Sequence, residues 1–117
     1  GFGTVNFEDG ETYEGQWKNG KENGRGKRVF ADGSKYIGEF KDGIPCGNGT
    51  ITLPDGTVYV GQFDNGQPNG KGTEKIPGVE KYTGFWKDGK RNGKGIVSKP
   101  EGSETEVEYV DGNILKS

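Results

Sequence analysis

The chain has 117 residues, of which 24 are glycine and only 26% are hydrophobic, so it lacks the apolar content of a domain with a thick core. Its formal net charge is −2, from 16 basic and 18 acidic residues, which is not the electrostatic footprint of a nucleic-acid-binding protein, and no apolar run is long enough for a membrane-spanning helix. Because the aromatic residues recur at regular intervals, we expect a folded protein built from thin repeated units.

The first predicted element is half of a repeat unit, over residues 1–12. Alternating apolar and polar residues predict a strand near Gly3 to Phe7, and a turn follows at Asp9-Gly10. Because the chain begins at Gly1 without a methionine and in the middle of a unit, we expect it to be a fragment. The first strand would be an edge with unpaired backbone groups, so we also expect it to pair with a second copy in a homodimer.

Complete repeat units follow with a period of 23 residues, at 13–35, 36–58, 59–81 and 82–104. Each opens with a tyrosine, has a glycine two residues later, and has a large aromatic residue two residues later again. These columns are Tyr13, Tyr36, Tyr59 and Tyr82; Gly15, Gly38, Gly61 and Gly84; and Trp17, Phe40, Phe63 and Trp86. The last unit, 105–117, is degenerate but keeps Tyr109 in the large-aromatic column, as terminal capping units often do.

Within each unit a period of two predicts two short antiparallel strands. Asp-Gly pairs such as Asp32-Gly33 are predicted to form two-residue hairpin turns in which both residues have positive φ, and Asn19–Gly24 is predicted to be the longer loop. Because successive units would add edge to edge, the predicted fold is all-β. It is a single elongated, twisted antiparallel meander of about ten strands, about 45–50 Å long, with little or no helix.

The mid-strand glycines would leave holes into which neighbouring aromatic rings pack, giving one aromatic face and one charged face. We predict that the aromatic face substitutes for a core and stays partly exposed, so that it can bind a protein or peptide. The alternative interpretation is that the aromatic rings only hold the sheet together, a role that the fold needs from most of them. The candidate partner-binding residues are Tyr13, Trp17, Tyr36, Phe40, Tyr59, Phe63, Tyr82 and Trp86. Among them we expect Tyr59 and Phe63 to be more exposed and the better binding candidates, since no basic residue flanks them.

Basic residues cluster in two places, in and after the first long loop and in and around the fourth. Together they could contact phosphates at an anionic membrane surface, although solvated charges that keep the sheet soluble are the alternative interpretation. The candidate phosphate or lipid contacts are Lys21, Arg25, Lys27, Arg28, Lys87, Lys90, Arg91 and Lys94.

The pattern Tyr-x-Gly-x-Trp/Phe-x-x-Gly-x-x-x-Gly-x-Gly, closing on Asp-Gly, resembles the MORN repeat (membrane occupation and recognition nexus) over essentially the whole chain. One unit departs from it, with Gly78-Val79 in the acid-glycine position. The resemblance implies a binding module: such arrays occur in junction scaffolds, in cytoskeletal and ciliary proteins, and beside phosphoinositide kinases and lysine methyltransferases. They are described as protein-binding, dimerising or lipid-binding modules, and the motif does not distinguish these functions.

Catalytic chemistry has few candidates in this sequence. There is no histidine, which removes the commonest general base and the commonest metal ligand. The single cysteine, Cys46, has no base in sequence reach to activate it, and no cysteine pair exists for zinc. We therefore predict that the chain is not an enzyme and that it uses no metal and no cofactor.

The predicted function is a protein-interaction or scaffold module that uses the aromatic face to bind a protein or peptide. Two alternatives are binding of phosphoinositides or other anionic lipids through the basic loops, and a role as the accessory domain of a larger enzyme. No nucleic-acid partner is expected. A single cysteine is compatible with an intracellular location, and we expect the cytoplasm, the cytoskeleton or a membrane surface.

Overall fold

The computed structural model describes residues 1–116, which form one antiparallel sheet of 11 strands and contain no helix. Each strand pairs with the next one in the chain, from β1 at one edge to β11 at the other. The strands are β1 Phe2–Asn6, β2 Thr12–Lys18, β3 Lys21–Val29, β4 Lys35–Lys41, β5 Ile44–Thr52, β6 Val58–Asp64, β7 Gln67–Ile76, β8 Glu80–Lys87, β9 Lys90–Ser98, β10 Glu104–Val110 and β11 Asn113–Lys116. The predicted meander is confirmed, and its longest extent is 46 Å.

The eleventh strand exceeds the predicted number because the degenerate last unit still forms a hairpin, β10–β11. Its turn, Asp111-Gly112, has the positive φ angles that a two-residue turn needs, 49° and 85°. The edge strand β1 pairs on one side with β2, for example Val5 with Tyr13. Pairing of its other side with a second copy stays a prediction.

The two kinds of turn are the reverse of those predicted from the sequence. Asn19 and Gly20 have φ angles of 53° and 78° and form the two-residue turn, and the same conformation recurs at Asp42-Gly43, Asn65-Gly66 and Asp88-Gly89. The predicted loop Asn19–Gly24 is therefore wrong beyond Gly20, because Lys21 already pairs with Lys18 and belongs to β3.

The turns at Asp9-Gly10, Asp32-Gly33 and Asp55-Gly56 are the longer ones, and in them the aspartate side chain takes part. The amide of Ser34 donates to Asp32 Oδ1 at 2.8 Å, and it is the Phe30 amide that closes the loop by donating to the Ser34 carbonyl at 2.8 Å. Only Gly33 of the pair has positive φ, 94°. A side chain that bonds its own backbone two residues on fixes this turn, so the prediction of a two-residue turn at Asp32-Gly33 is wrong.

The core is a row of glycines covered by the tyrosines of one face, which we call the aromatic face. The glycines are cross-strand neighbours, as Gly15 is of Gly26 and Gly26 of Gly38. A Cβ atom on Gly26 would overlap the Tyr13 hydroxyl and ring. The prediction that aromatic rings fill the space above the glycines is confirmed.

A β-bulge gives each tyrosine hydroxyl its partner. The register between β2 and β3 shifts between Gly15 and Trp17, and the Tyr13 hydroxyl donates to the carbonyl of the residue in between, Gln16, at 2.8 Å. The same bond recurs from Tyr36, Tyr59 and Tyr82 to the residue three positions later. The bulge therefore satisfies a buried hydroxyl that would otherwise cost free energy.

Candidate functional site

The aromatic residues of the repeat form a continuous chain of edge-to-face contacts along the sheet. Ring centroids lie 5.0–5.6 Å apart, with interplanar angles of 80–90°, which is the preferred geometry for aromatic pairs. In order, the rings are Trp17, Tyr13, Phe40, Tyr36, Phe63, Tyr59, Trp86, Tyr82 and Tyr109. Each tyrosine thus joins the large aromatic residue of its own unit to that of the next.

This packing leaves little of the predicted partner-binding face accessible. Of its eight residues only Trp17 is partly exposed; the others, Tyr13, Tyr36, Phe40, Tyr59, Phe63, Tyr82 and Trp86, are buried. The expectation that Tyr59 and Phe63 are more exposed is wrong, since only 4% and 5% of them is accessible. Their rings are covered because each lies between aromatic neighbours of two units.

The buried rings are also fixed by polar contacts. Trp86 Nε1 donates to the Gly72 carbonyl at 3.2 Å. Burial raises the pKa of Tyr36 and of Tyr59 to about 12, because a phenolate would lose its hydration there. These side chains therefore hold the sheet together.

Two of the predicted phosphate contacts, Arg28 and Arg91, form ion pairs within the chain on the aromatic face. Arg28 bridges Glu11 and Glu22, with N–O distances of 2.6 and 2.8 Å, and its guanidinium lies over the Phe7 ring. Because both carboxylates are largely buried as well, Arg28 is not free to bind a phosphate.

Arg91 makes the equivalent network at the other end of the sheet. It bridges Glu74 and Glu80 at 2.7 and 2.8 Å and lies over the rings of Tyr82 and Tyr109. Burial alone would lower the pKa of Arg91, but its hydrogen bonds to Glu80, Glu74 and Tyr109 outweigh this and raise it.

The other six predicted phosphate contacts are exposed, but they lie on strands or at strand ends rather than in long loops. They are Lys21, Arg25, Lys27, Lys87, Lys90 and Lys94. Across strands Lys27 is the neighbour of Glu14, Arg25 of Glu39 and Lys94 of Glu108. Lys21, Lys87 and Lys90 flank the two-residue turns beside other lysines.

The opposite face, which we call the outer face, carries a feature that the sequence analysis missed. A row of uncharged residues runs across six neighbouring strands, β4 to β9, where a charged face was predicted. We call it the outer row; it consists of Ile37, Thr50, Val60, Thr73, Thr83 and Ile96, each the cross-strand partner of the next. Its aliphatic members are 44–52% exposed.

Within the line of the row, charged residues occur only beyond its two ends, although lysines and glutamates also flank it on the outer face, as Lys71 and Lys75 flank Thr73 on β7. Lys27 is the neighbour of Ile37 at one end, and Glu106 is the neighbour of Ile96 at the other. The signal was present in the sequence: the residue after each tyrosine reads Glu14, Ile37, Val60 and Thr83, so it is apolar in the two middle units. An uncharged row that carries the exposed aliphatic side chains of Ile37, Val60 and Ile96 is a candidate interaction surface.

The outer face also has an open depression of about 970 Å³ between β7 and β10. It is lined by Thr83 and Ile96 of the outer row, by the exposed ring of Phe85, and by glutamates of β10. A smaller depression, of about 370 Å³, lies at the other end, next to Phe2 and Ile37.

Among residues 1–116, no group of three or more His, Cys, Asp and Glu side chains could hold a metal ion, and no helix of this part of the chain could cross a membrane. Cys46 is half-buried, and burial raises the pKa of its thiol, which disfavours the reactive thiolate.

Comparison with protein families identifies the repeat. The family model of the MORN repeat matches at four consecutive positions, residues 13–35, 36–58, 59–78 and 82–104. A comparison with curated proteins found no match. Because the four matches span most of the chain and coincide with the β-hairpins of the sheet, this protein belongs to the MORN repeat family.

Proposed function

We propose that this chain is a non-enzymatic module that binds a partner protein through the outer row. The observation that carries the proposal is an uncharged row that continues over six strands of an otherwise highly charged chain, with three aliphatic members that are about half exposed. The family is consistent with it, because MORN repeats are a non-catalytic repeat type that often takes part in protein or membrane interactions.

The aromatic face is the less suitable surface because its rings already contact one another. A partner would have to break edge-to-face pairs of about 0.5–1.5 kcal/mol each to reach them. The aliphatic side chains of the outer row, such as Ile37, Val60 and Ile96, are about half exposed and can be covered at no such cost.

The dimensions of the outer row select the shape of the partner. Six strands have five spacings of about 4.8 Å, so the row is about 24 Å long. One turn of an α-helix rises about 5.4 Å, close to one strand spacing, so an amphipathic helix of about 16 residues lying across the strands would span the row and direct about one apolar side chain per turn towards it. An amphipathic helix of a partner protein is therefore the proposed ligand.

Affinity capture from the source cell with variant baits tests this proposal. The baits are the wild-type chain, the variant Val60→Lys with Ile96→Lys, and the control Leu53→Lys with Val79→Lys, which adds the same charge at two exposed apolar positions outside the row. We expect the control to retain a partner that the row variant loses. Recombinant partner should then bind the row variant at least tenfold more weakly, a change of about 1.4 kcal/mol or more.

Thermal unfolding of the same variants controls for folding. Substitutions at exposed positions usually change stability by about 0.5 kcal/mol or less, so all three chains should unfold at similar temperatures. Equal binding by the row variant and the wild type would refute the proposal.

Binding to anionic lipid is a second candidate function, supported by the exposed lysines at the two-residue turns. Lys18 faces Lys21 and Lys87 faces Lys90 across these turns. Each lysine near an anionic surface contributes about 1 kcal/mol, so several would have to act together. Liposomes that contain phosphoinositide should sediment the wild type at low salt but not a Lys21→Gln, Lys87→Gln, Lys90→Gln variant; binding that is insensitive to salt would count against this function.

A further inference from the structure

The depression between β7 and β10 differs from the rest of the outer row in its chemistry. Its floor is uncharged, formed by Ile96 and Thr83, and the ring of Phe85 is 51% exposed beside them. Its wall is β10, which directs Glu104, Glu106 and Glu108 to the same face at alternate positions. The depression therefore combines an uncharged floor, an accessible aromatic ring and a line of carboxylates.

The carboxylates of this wall are only partly neutralised. Lys94 is the cross-strand neighbour of Glu108, but the neighbours of Glu106 and Glu104 are Ile96 and Ser98. A further lysine, Lys71, lies across from Phe85 on the far side of the depression. No lysine or arginine occurs between residues 100 and 115 of the sequence, so the β10 side of the depression is acidic.

We propose that the partner helix is basic and that one of its arginines or lysines enters this depression next to Glu104 and Glu106. This inference rests on the proposed function. A guanidinium at this end of the depression can pair with Glu104 or Glu106. The ring of Phe85, which lies against Gly93 at the other end, is open to a second cation of the helix. The apolar stripe of the same helix continues over Ile96 and Thr83 into the outer row. The acidic end of the row thus fixes which way the helix lies.

Binding of synthetic helical peptides to the full chain tests this inference. Three 18-residue peptides are compared: one with leucines at positions i, i+3, i+4 and i+7 and arginines at its polar positions, one with glutamates in place of the arginines, and one with serines in place of the leucines. Affinities come from calorimetry, and the bound surface comes from backbone amide shifts of the isotope-labelled chain.

Two matched variants separate the effect of the β10 glutamates on binding from the effect of the chain's net charge. The wall variant, Glu104→Gln with Glu106→Gln, removes two negative charges from the wall of the depression. The control, Glu8→Gln with Glu14→Gln, removes two negative charges at exposed positions elsewhere. We expect the leucine-arginine peptide to bind best and to shift amides around Phe85 and Ile96. Its affinity should fall about tenfold in the wall variant and in Phe85→Thr, but less than twofold in the control.

The outcomes distinguish this inference from the proposed function. If the glutamate and arginine peptides bind the outer row equally well, or if the wall and control variants behave alike, the inference is refuted while the outer row survives as a protein-binding surface. If the serine peptide binds as well as the leucine-arginine peptide, the apolar row contributes nothing and both proposals fail. If none of the peptides binds, the inference is refuted.

Discussion

The packing of a tyrosine ring over a glycine can be tested by changing Gly49 to alanine. The three atoms nearest to a Cβ atom at Gly49 would all belong to the hydroxyl and ring of Tyr36. That ring is fully buried, donates to the Glu39 carbonyl at 2.8 Å and contacts Phe40 and Phe63. Alanine at this position therefore has to displace a ring that is held on several sides.

The expected cost is the sum of two terms. Overpacking a well-packed core costs about 1–3 kcal/mol, and weakening the hydroxyl-to-carbonyl bond costs about 1 kcal/mol more. Gly49→Ala should therefore lower the free energy of unfolding by about 2–4 kcal/mol. Equilibrium unfolding in urea, followed by circular dichroism, measures this difference.

A second background shows whether the ring is the cause. In Tyr36→Leu the ring above Gly49 is absent, and alanine is favoured over glycine within a strand by about 0.5–1 kcal/mol. Gly49→Ala should then be neutral or stabilising, which reverses the sign of its effect. An equal loss of stability in both backgrounds would refute the role assigned to Tyr36.

Two further predictions concern the aromatic face. Trp86→Ala should cost about 3–5 kcal/mol, because Trp86 is 7% exposed and the substitution leaves a cavity; a thermal midpoint within a few degrees of the wild type would contradict its place in the core. The raised pKa of about 12 at Tyr36 and Tyr59 means that burial favours their neutral form, so their contribution to stability is complete below about pH 10 and is lost as the pH rises through about 12. Absorbance at 295 nm should therefore show tyrosines that ionise together with unfolding in this range, and ionisation near pH 10 without unfolding would contradict their burial.

The sequence predicted the sheet because its repeat specifies local structure unit by unit. Alternation placed Tyr13 and Gly15 on one face, and the 23-residue period placed equivalent strands side by side. The turns were harder to predict because both kinds end in glycine. Whether Asp32 adopts positive φ or accepts a hydrogen bond from the Ser34 amide depends on the length of the loop, which the dipeptide alone does not encode.

Burial could not be read from the period, because it depends on contacts between units. Phe63 is covered by Tyr36, which lies 27 positions earlier in the sequence, and Tyr59 covers its other side. The pairing of Arg91 with Glu74 likewise joins residues 17 positions apart. The outer row was missed for a different reason: its signal is weak, because the position after each tyrosine is apolar only at Ile37 and Val60, in two of the four units.

Site-specific photo-crosslinking tests most directly whether the outer row is the binding surface. A photoreactive amino acid is placed at Val60, in the middle of the row, and separately at Trp17, the one partly exposed residue of the predicted aromatic binding face. The account predicts that a partner protein is crosslinked from position 60 and that position 17 gives no crosslink above background. Crosslinking from position 17 alone would contradict the account and return the binding function to the aromatic face.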